Sequence, residues 1–303
     1  IEEKVEELFV VSNNQPLLDA FKSWCGRRSI YYQQINSVSK SYILKRYIHQ
    51  KIQIGCLFIH GMIYLAKHCV EMLPLIGVGI KEWKSSQSET LFLSYLYNLD
   101  YGKAHSGIYQ SHFWGGLPDK LLEKNISTRW LHIWIKNDVI KNAKFAKKFI
   151  YDVHRNTEGR QAHIILESFL NFRVVGRALS SWFLLIRKAW RIEADLTRSD
   201  HNDSHLWSLV KDDWRNSVFG RAIAMNLLYL HLFDSAFSSI NRQKCGSYLM
   251  ENQGWEAGMV QSWNNAGHRD LFGVVHSTVR YWDLRYLMDS EIFRKCKKFR
   301  WYV

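Results

Sequence analysis

Short apolar runs that end abruptly in polar residues, with helix-length stretches between them, set the strongest limit on how this chain can fold. "ETLFLSYLYNLD" ends at Asn98 and Asp100, "RWLHIWI" covers 129–135, and "GSYLMEN" and "LFGVV" return towards the far end. The stretches "GGLPDKLLEKN" and "GWEAGMVQSWNNAG" that separate them have the length and composition of helices. Strand, helix and strand at this spacing make βαβ units and a parallel sheet. The expected fold class is α/β, a Rossmann-like parallel sheet carrying a large helical insertion.

The rest of the chain fills in that outline. "EELFVVSNN" reads as a short buried strand, "PLLDAFKSWCGRR" as a helix and "SIYYQQ" as a second strand. A helical stretch from Ser39 to Trp83 is broken at Pro74. From 137 to 241 the pattern is mainly helical, with "HIILESFL" ambiguous between helix and strand. "ALSSWFLLIRKAW" and "RAIAMNLLYLHLF" are apolar nearly all round, so both are expected to be buried. The division expected is a first βα portion over 1–136, a helical insertion over 137–241 and a returning βαβ portion over 242–303.

Composition narrows the function classes. With 47% hydrophobic residues and only 3 prolines in 303, the chain can bury a real core and is no low-complexity polymer. Its net charge of +13 suits an anionic partner: nucleic acid, an acidic membrane surface or a phosphorylated substrate. The cations are spread along the chain except in the terminal "RKCKKFRWYV", and a spread excess is equally the mark of a solvated surface. Five cysteines with no CxxC pair exclude a disulfide framework and a thiolate zinc site, and fit a reducing cytoplasm. The longest uncharged apolar run, "IQIGCLFIHGMIYLA", is interrupted by Gln53 and His60. It falls short of the roughly twenty residues of a bilayer span, so it is expected to be a core helix. The chain opens on Ile1 without a methionine, which points to further sequence upstream.

No GxGxxG followed by an acidic residue, P-loop, HExxH or GxSxG is present. "DHNDSH" at 200–205 lacks the glycine and distal glutamate of a calcium loop and reads as a polar turn between helices. No metal site is expected. The candidate site comes instead from polar residues placed directly after strands, where open parallel sheets bind ligands. After "SYLM", Glu251 can act as base or orient a hydroxyl, while Asn252 and Gln253 offer the donor and acceptor pairs that sugar hydroxyls need. Glu256 falls in the first turn of the next helix, where its charge favours the helix dipole. After "FGVV", His276 is either a general base near neutral pH or a satisfier of loop backbone groups. Ser277 and Thr278 can cap the following segment or hold an anion. Arg280 and Arg285 either clamp a phosphate or carboxylate, or pair with Asp283 and Asp289. Trp282 stands in the same knot. His112 and Trp114 lie in a loop before a helix, where a tryptophan can stack on a sugar, although most of the 13 tryptophans must be structural.

"SYLYNLD", "SHFWGGLPDKLLEKNISTRWLHI" and "ENQGWEAGMVQSWNNAGHRDLFGVVHSTVRYWDLRY" together resemble a family of bacterial surface-carbohydrate (capsule and lipopolysaccharide) biosynthesis proteins, in order, over about residues 90 to 290. The resemblance implies a glycosyltransferase B architecture of two facing Rossmann-like domains, of which this chain supplies the N-terminal, acceptor-side half. In a transferase of that kind the expected catalytic group that activates the acceptor hydroxyl is Glu251 or His276. The resemblance places Glu251, Asn252, Gln253, His276, Ser277 and Thr278 in a substrate cleft, joined by Arg280, Trp282, Asp283 and Arg285, while His112 and Trp114 are substrate-binding candidates from their loop position. The expected partners are a nucleotide-sugar donor, as substrate rather than cofactor, and a glycan or lipid-linked acceptor. The expected location is the cytoplasm at the inner face of the membrane, with peripheral contact to anionic lipid. A donor domain should follow "HSTVRYWDLRY", yet the sequence stops at Val303, so either a truncated or frameshifted product or a separately encoded C-terminal half is expected. Two other readings stand beside this one. One is a non-catalytic assembly protein of the same pathway. The other is a nucleic-acid binder, which the charge and aromatics suggest but which lacks any recognition motif or basic stripe, so no specific nucleic acid is expected.

Overall fold

The computed structural model describes residues 5–12, 14–35, 40–198 and 207–275. Its contacts divide the chain into two units, one of Ile1–Leu65 with Ser180–Met225, the other of Ala66–Leu179 with Asn226–Val303.

The first unit holds a small βαβ element. Strand β1 (Glu7–Val10) leads through helix α1 (Gln15–Arg27) to β2 (Tyr31–Gln34), and the two strands pair in parallel, Glu7 against Tyr31 through Val10 against Gln34. They form a sheet of their own. The expectation of a buried strand at "EELFVV" is corrected here: exposure alternates along β1, and Phe9 is 53% exposed. A two-stranded ribbon has one face to bury, so the period-2 alternation of the pleat puts every second side chain in water. The other described residues of the unit are largely helical: the front of α2 (Lys40–Met72), the later part of α7 (Phe172–Arg198), α8 (Trp207–Phe219) and the first residues of α9 (Arg221–Ser238). Helix α2 ends where Pro74 sits in a 3-10 turn, Leu73–Leu75, as proline's missing N–H requires.

The second unit is the Rossmann-like α/β part. Five strands, β3 (Thr90–Tyr95), β4 (Thr128–Ile133), β5 (Gln161–Ile165), β6 (Cys245–Leu249) and β7 (Asp270–Val274), form an all-parallel sheet in the order β5-β4-β3-β6-β7. The connections are helical: α4 (Tyr101–His105) and α5 (Leu117–Glu123) after β3, α6 (Ala143–Asn156) after β4, the α7-to-α9 segment after β5, and α10 (Gly254–Asn265) after β6. Short helix α3 (Ile80–Ser85) precedes the sheet. The ambiguous run "HIILESFL" is β5 followed by a 3-10 turn, buried at every position from Gln161 to Phe169. A strand covered on both faces loses the alternation that would have identified it.

Each face of the sheet has its own chemistry. On one face Phe92, Trp130 and His163 project from β3, β4 and β5; the Phe92 and Trp130 rings stack at 4.4 Å, and Trp130 lies parallel to His163 at 5.8 Å. His132 extends the layer, its Nε2 2.9 Å from His163 Nδ1, and Tyr109 closes it against both histidines. His154 of α6 joins by accepting from the His163 backbone N–H at 2.8 Å. Burial holds all three imidazoles in their neutral form, driving His132 down to about 3 and lowering His163 and His154. Gly79, at φ +74, lets the chain pass so close to β5 that a Cβ there would stand 2.7 Å from the His163 carbonyl oxygen.

At the amino end of β4, Arg129 is wholly buried. Its guanidinium donates to the carbonyl oxygens of Trp83 at 3.1 Å and of Ser86 and Ser88, and to Gln243 Oε1 at 3.3 Å. Burial lowers its pKa to about 10, so it stays charged at neutral pH. A single planar fork thus joins the segments that enter β3, β4 and β6.

Two outcomes are expected in urea titrations. Arg129→Met strands several buried acceptors and should lower stability by about 3 kcal/mol or more, at roughly 1–3 kcal/mol for each group left unpaired. His132, near 6.5 when unfolded, resists protonation in the fold until about pH 3, and burial depresses His163 and His154 in the same direction, so the unfolded chain takes up protons that the folded one does not. Stability should be full above about pH 6.5 and fall as pH drops below it, by up to about 1.4 kcal/mol per pH unit for each such group.

Candidate functional site

In the order β5-β4-β3-β6-β7 the chain leaves β3 towards one edge and β6 towards the other. The crevice outside their carboxyl ends is therefore the topological switch point, the place where open α/β sheets bind ligands. Both strands end alike there. Asn98 follows β3 and Asn252 follows β6, each at φ 56, a left-handed backbone that asparagine tolerates better than most residues. Each turn bends the chain sharply out of the sheet and leaves polar residues at its end.

A tyrosine and a carboxylate meet between these turns. The Tyr95 hydroxyl, at the end of β3, donates to Glu251 Oε2 at 3.0 Å. Tyr95 is 4% exposed, and burial together with the Glu251 charge holds its phenol well above the usual tyrosine range. It is thus a fixed donor to Glu251 across the whole working pH range. Around the pair are rings: Tyr97 at 5.1 Å from Tyr95, Phe113 edge-on to Tyr97 at 5.4 Å, and Trp255 edge-on to Tyr95 at 6.1 Å. Glu251, Asn252 and Tyr97 are all partly exposed. Asn252 Nδ2 is buried and makes no hydrogen bond within the protein.

The second carboxylate has different work. Glu256 Oε1 accepts from the backbone N–H of Gln253 at 2.8 Å and of Glu251 at 2.9 Å, so the first turn of α10 is tied back onto the strand end. Burial raises the pKa of Glu256, while these N–H groups pull the other way. Its remaining oxygen and the Tyr248 hydroxyl are buried without hydrogen bonds. Helix α10 itself is seated by small residues. A Cβ on Gly254 would lie 2.6 Å from Asn226 Nδ2, Gly258 rests on Leu230, and the Ser262 hydroxyl donates to Asp234 Oδ1 at 2.7 Å. Positions 254, 258 and 262 thus form one stripe against α9.

Of the residues proposed from sequence, the structure gathers Glu251, Asn252 and Gln253 at the switch point. His112 is exposed in the loop after β3, its backbone N–H bonded to the Asn98 carbonyl at 3.0 Å. Trp114 belongs to the aromatic layer: its indole N–H donates to Ser94 Oγ at 2.9 Å and its ring meets Phe92 and Trp130 edge-on. His276, Ser277, Thr278, Arg280, Trp282, Asp283 and Arg285 lie outside the described residues, as does "DHNDSH". Among the described residues no group of histidine, cysteine and carboxylate side chains is arranged to hold a metal ion. Cys25, Cys56, Cys69 and Cys245 are free thiols.

Sequence reasoning missed Tyr95, Tyr97 and Trp255. Their only signal was aromatic character at strand ends, and β3 is 155 residues from β6 along the chain, Thr90 pairing with Cys245. It also missed Glu167, a fully buried carboxylate just past β5 that lies 3.3 Å from His68 Nε2. A glutamate inside an apolar run was the available hint. Apart from this crevice, the first unit has a surface cleft of about 480 Å³ bordered by His60, Tyr64, Asn216 and Arg221. Arg221 lies over the Tyr64 ring at 5.6 Å.

No protein-family model, curated protein or solved structure matches the chain significantly.

The two carboxylates should separate cleanly on mutation. Glu256→Ala removes the acceptor for two backbone N–H groups and should lower stability by about 2 kcal/mol. Glu251→Gln keeps an acceptor for Tyr95 on a partly exposed side chain, and its unfolding midpoint in urea should correspond to a change of less than about 1 kcal/mol.

Proposed function

We propose that the chain acts in bacterial surface-polysaccharide biosynthesis as the acceptor-side half of a glycosyltransferase, moving a sugar from a nucleotide-activated donor to a cell-envelope glycan precursor. The observation that carries this reading is the Tyr95–Glu251 pair at the switch point of a Rossmann-like sheet, 3.0 Å apart, with rings and amides around it. A carboxylate that accepts from a hydroxyl, side-chain amides for further hydroxyls, and aromatic faces for the apolar side of a pyranose form the donor set that carbohydrate binding needs. The blocks "SYLYNLD" and "ENQGWE" that resemble surface-carbohydrate proteins are the ends of β3 and β6, so the resemblance and the crevice fall on the same residues.

In the proposed reaction Glu251 is the general base. Tyr95 fixes one carboxylate oxygen and orients the group. An acceptor hydroxyl gives its proton to Glu251 as its oxygen bonds to the anomeric carbon of the donor sugar, and the bond from that carbon to the donor phosphate breaks. The nucleotide leaves with the bonding electrons. Fixed donors and arginines of the cleft, among them Arg280 and Arg285, would meet the charge that develops on the phosphates, where preorganised donors act most strongly. The nucleotide sugar is a substrate, and the scheme uses no further cofactor. The work would be done on the cytoplasmic side of the membrane, where activated sugars are made.

The test is transfer of labelled sugar from a set of nucleotide sugars into envelope glycan, using the native gene product with membranes from its own cells. Glu251→Gln should reduce the rate by about 10²-fold or more, the usual contribution of a positioned base, while the urea midpoint holds. Equal rates for the two proteins would remove Glu251 from the chemistry. Tight glycan binding without turnover would move the chain to an assembly role.

A further inference from the structure

Two helices whose composition predicts a core location turn apolar residues to solvent. In the unit of Ile1–Leu65 and Ser180–Met225, α7 exposes Phe183, Leu184 and Trp190 at 56%, 57% and 55%. Arg187, Lys188 and Arg191 are exposed among them, and the stretch from Ser180 to Ile192 contains no acidic residue. At helical spacing these six residues form two adjacent stripes, Phe183–Arg187–Trp190 and Leu184–Lys188–Arg191, each at i, i+4, i+7. The opposite face of α7 is committed: Trp182 donates its indole N–H to the Val218 carbonyl at 2.9 Å, and Ile186 and Ala189 are buried. The outward face is therefore fixed by packing.

Helix α2 continues the surface. Its Phe58 meets Phe183 at 5.9 Å, and beyond it Ile59 and Ile63 are 55% and 60% exposed. The segment Ile54–Leu75 has a mean hydropathy of 1.2 over its most apolar window, yet only 17% of that window is buried.

We propose that this face of α2 and α7 docks on an anionic lipid bilayer. Phe183, Leu184, Trp190, Ile59 and Ile63 enter the boundary between headgroups and acyl chains, and Arg187, Lys188 and Arg191 meet the lipid phosphates. Charge complementarity argues for this occupant: Arg187, Lys188 and Arg191 outnumber the one exposed acid that continues their stripe, Asp195, and a net positive face suits a negative surface. The mixture of residues argues for lipid over a nucleic-acid strand: isoleucine and leucine have no π face on which a base could stack, whereas aromatic and aliphatic side chains beside lysine and arginine are what an interfacial helix carries. Docking along the surface also fits the packing better than crossing. A Cβ on Gly61 would lie 2.6 Å from the Trp182 ring, so protein, and not acyl chain, occupies that side of α2. The inference uses none of the residues of the sugar-binding reading and stands without it.

The experiment is sedimentation of the full chain with vesicles of phosphatidylcholine alone and of phosphatidylcholine with phosphatidylglycerol. Binding should be at least about tenfold stronger to the anionic vesicles and weaken with added salt. Lipid brominated in its acyl chains should quench tryptophan emission, and Trp190→Phe should lose a measurable part of that quenching. The double variant Phe183→Ser with Leu184→Ser should lower partitioning about tenfold, and Arg187→Glu with Lys188→Glu should abolish the preference for anionic lipid. These side chains are on the surface, so circular dichroism and thermal midpoint should not change. Should the serine pair unfold the chain, Lys188→Glu alone still reads the salt dependence. No binding to anionic vesicles at low salt, or unchanged binding by the variants, would overturn the proposal. So would a concentration-dependent dimer, or single-strand binding, lost in the same variants, since either would assign the face to another partner.

Discussion

The sheet is held in register at its amino end by one buried cation. Arg129 has no carboxylate among its hydrogen-bond partners; its charge is solvated by the Trp83, Ser86 and Ser88 carbonyls and by Gln243. A guanidinium is suited to this because it is weakly hydrated, stays charged when desolvated and donates in a plane in several directions at once. The segment after α3, the start of β4 and the loop before β6 cannot shift separately without stranding a donor. That constraint ties together the entries of β3, β4 and β6, whose parallel ladders place β3 between the other two and the switch point at the opposite end of β3 and β6.

Left-handed backbone occurs at both ends of the sheet, at Asn125 and Glu158 ahead of β4 and β5 as well as at Asn98 and Asn252. At the amino end Arg129 is paired with fixed acceptors, while the histidine layer leaves His132 Nδ1 and His154 Nδ1 buried without hydrogen bonds. The carboxyl end carries two asparagines in left-handed backbone, a tyrosine whose proton is held, and buried polar atoms of Glu256, Tyr248 and Asn252 that make no hydrogen bond. What distinguishes the ends of β3 and β6 is that both features meet there beside the partly exposed Glu251 and Asn252, the combination found where a protein holds a ligand. The stripe of Gly254, Gly258 and Ser262 against α9 allows α10 to begin directly behind the crevice. Larger residues would push the Glu256 turn away from the β6 end.

Much of the candidate site could be read from the chain, and the unread part has one cause. "ENQGWE" after an apolar run marked Glu251, Asn252 and Gln253 and placed Glu256 in a first helical turn, but its capping of the Glu251 and Gln253 N–H groups appears only in the fold. Tyr95 was visible only as one aromatic residue in an aromatic run. Its partnership with Glu251 depends on β3 pairing with β6 across a connection that also contains β4 and β5. Trp114 shows the reverse: a loop tryptophan beside a polar site looks like a stacking platform, but the ring is claimed by Phe92, Trp130 and Ser94.

The sequence by itself determined the α/β class, the strands β3, β4, β6 and β7, the break of α2 at Pro74, and the polar turns after β6, because those depend on local period, on proline's missing N–H and on apolar runs too short for a helix. The tertiary structure decided what period alone leaves open. It made β5 a strand, since a segment buried on both faces has no alternation to show. It set β1 and β2 apart as their own ribbon, since edge pairing is a choice among distant partners. It also turned Phe183, Leu184 and Trp190 outward on a helix that looked apolar all round. A helix has more apolar surface than its neighbours there can cover, and only the packing of Trp182 against Gly61 and Val218 selects which side remains in contact with solvent.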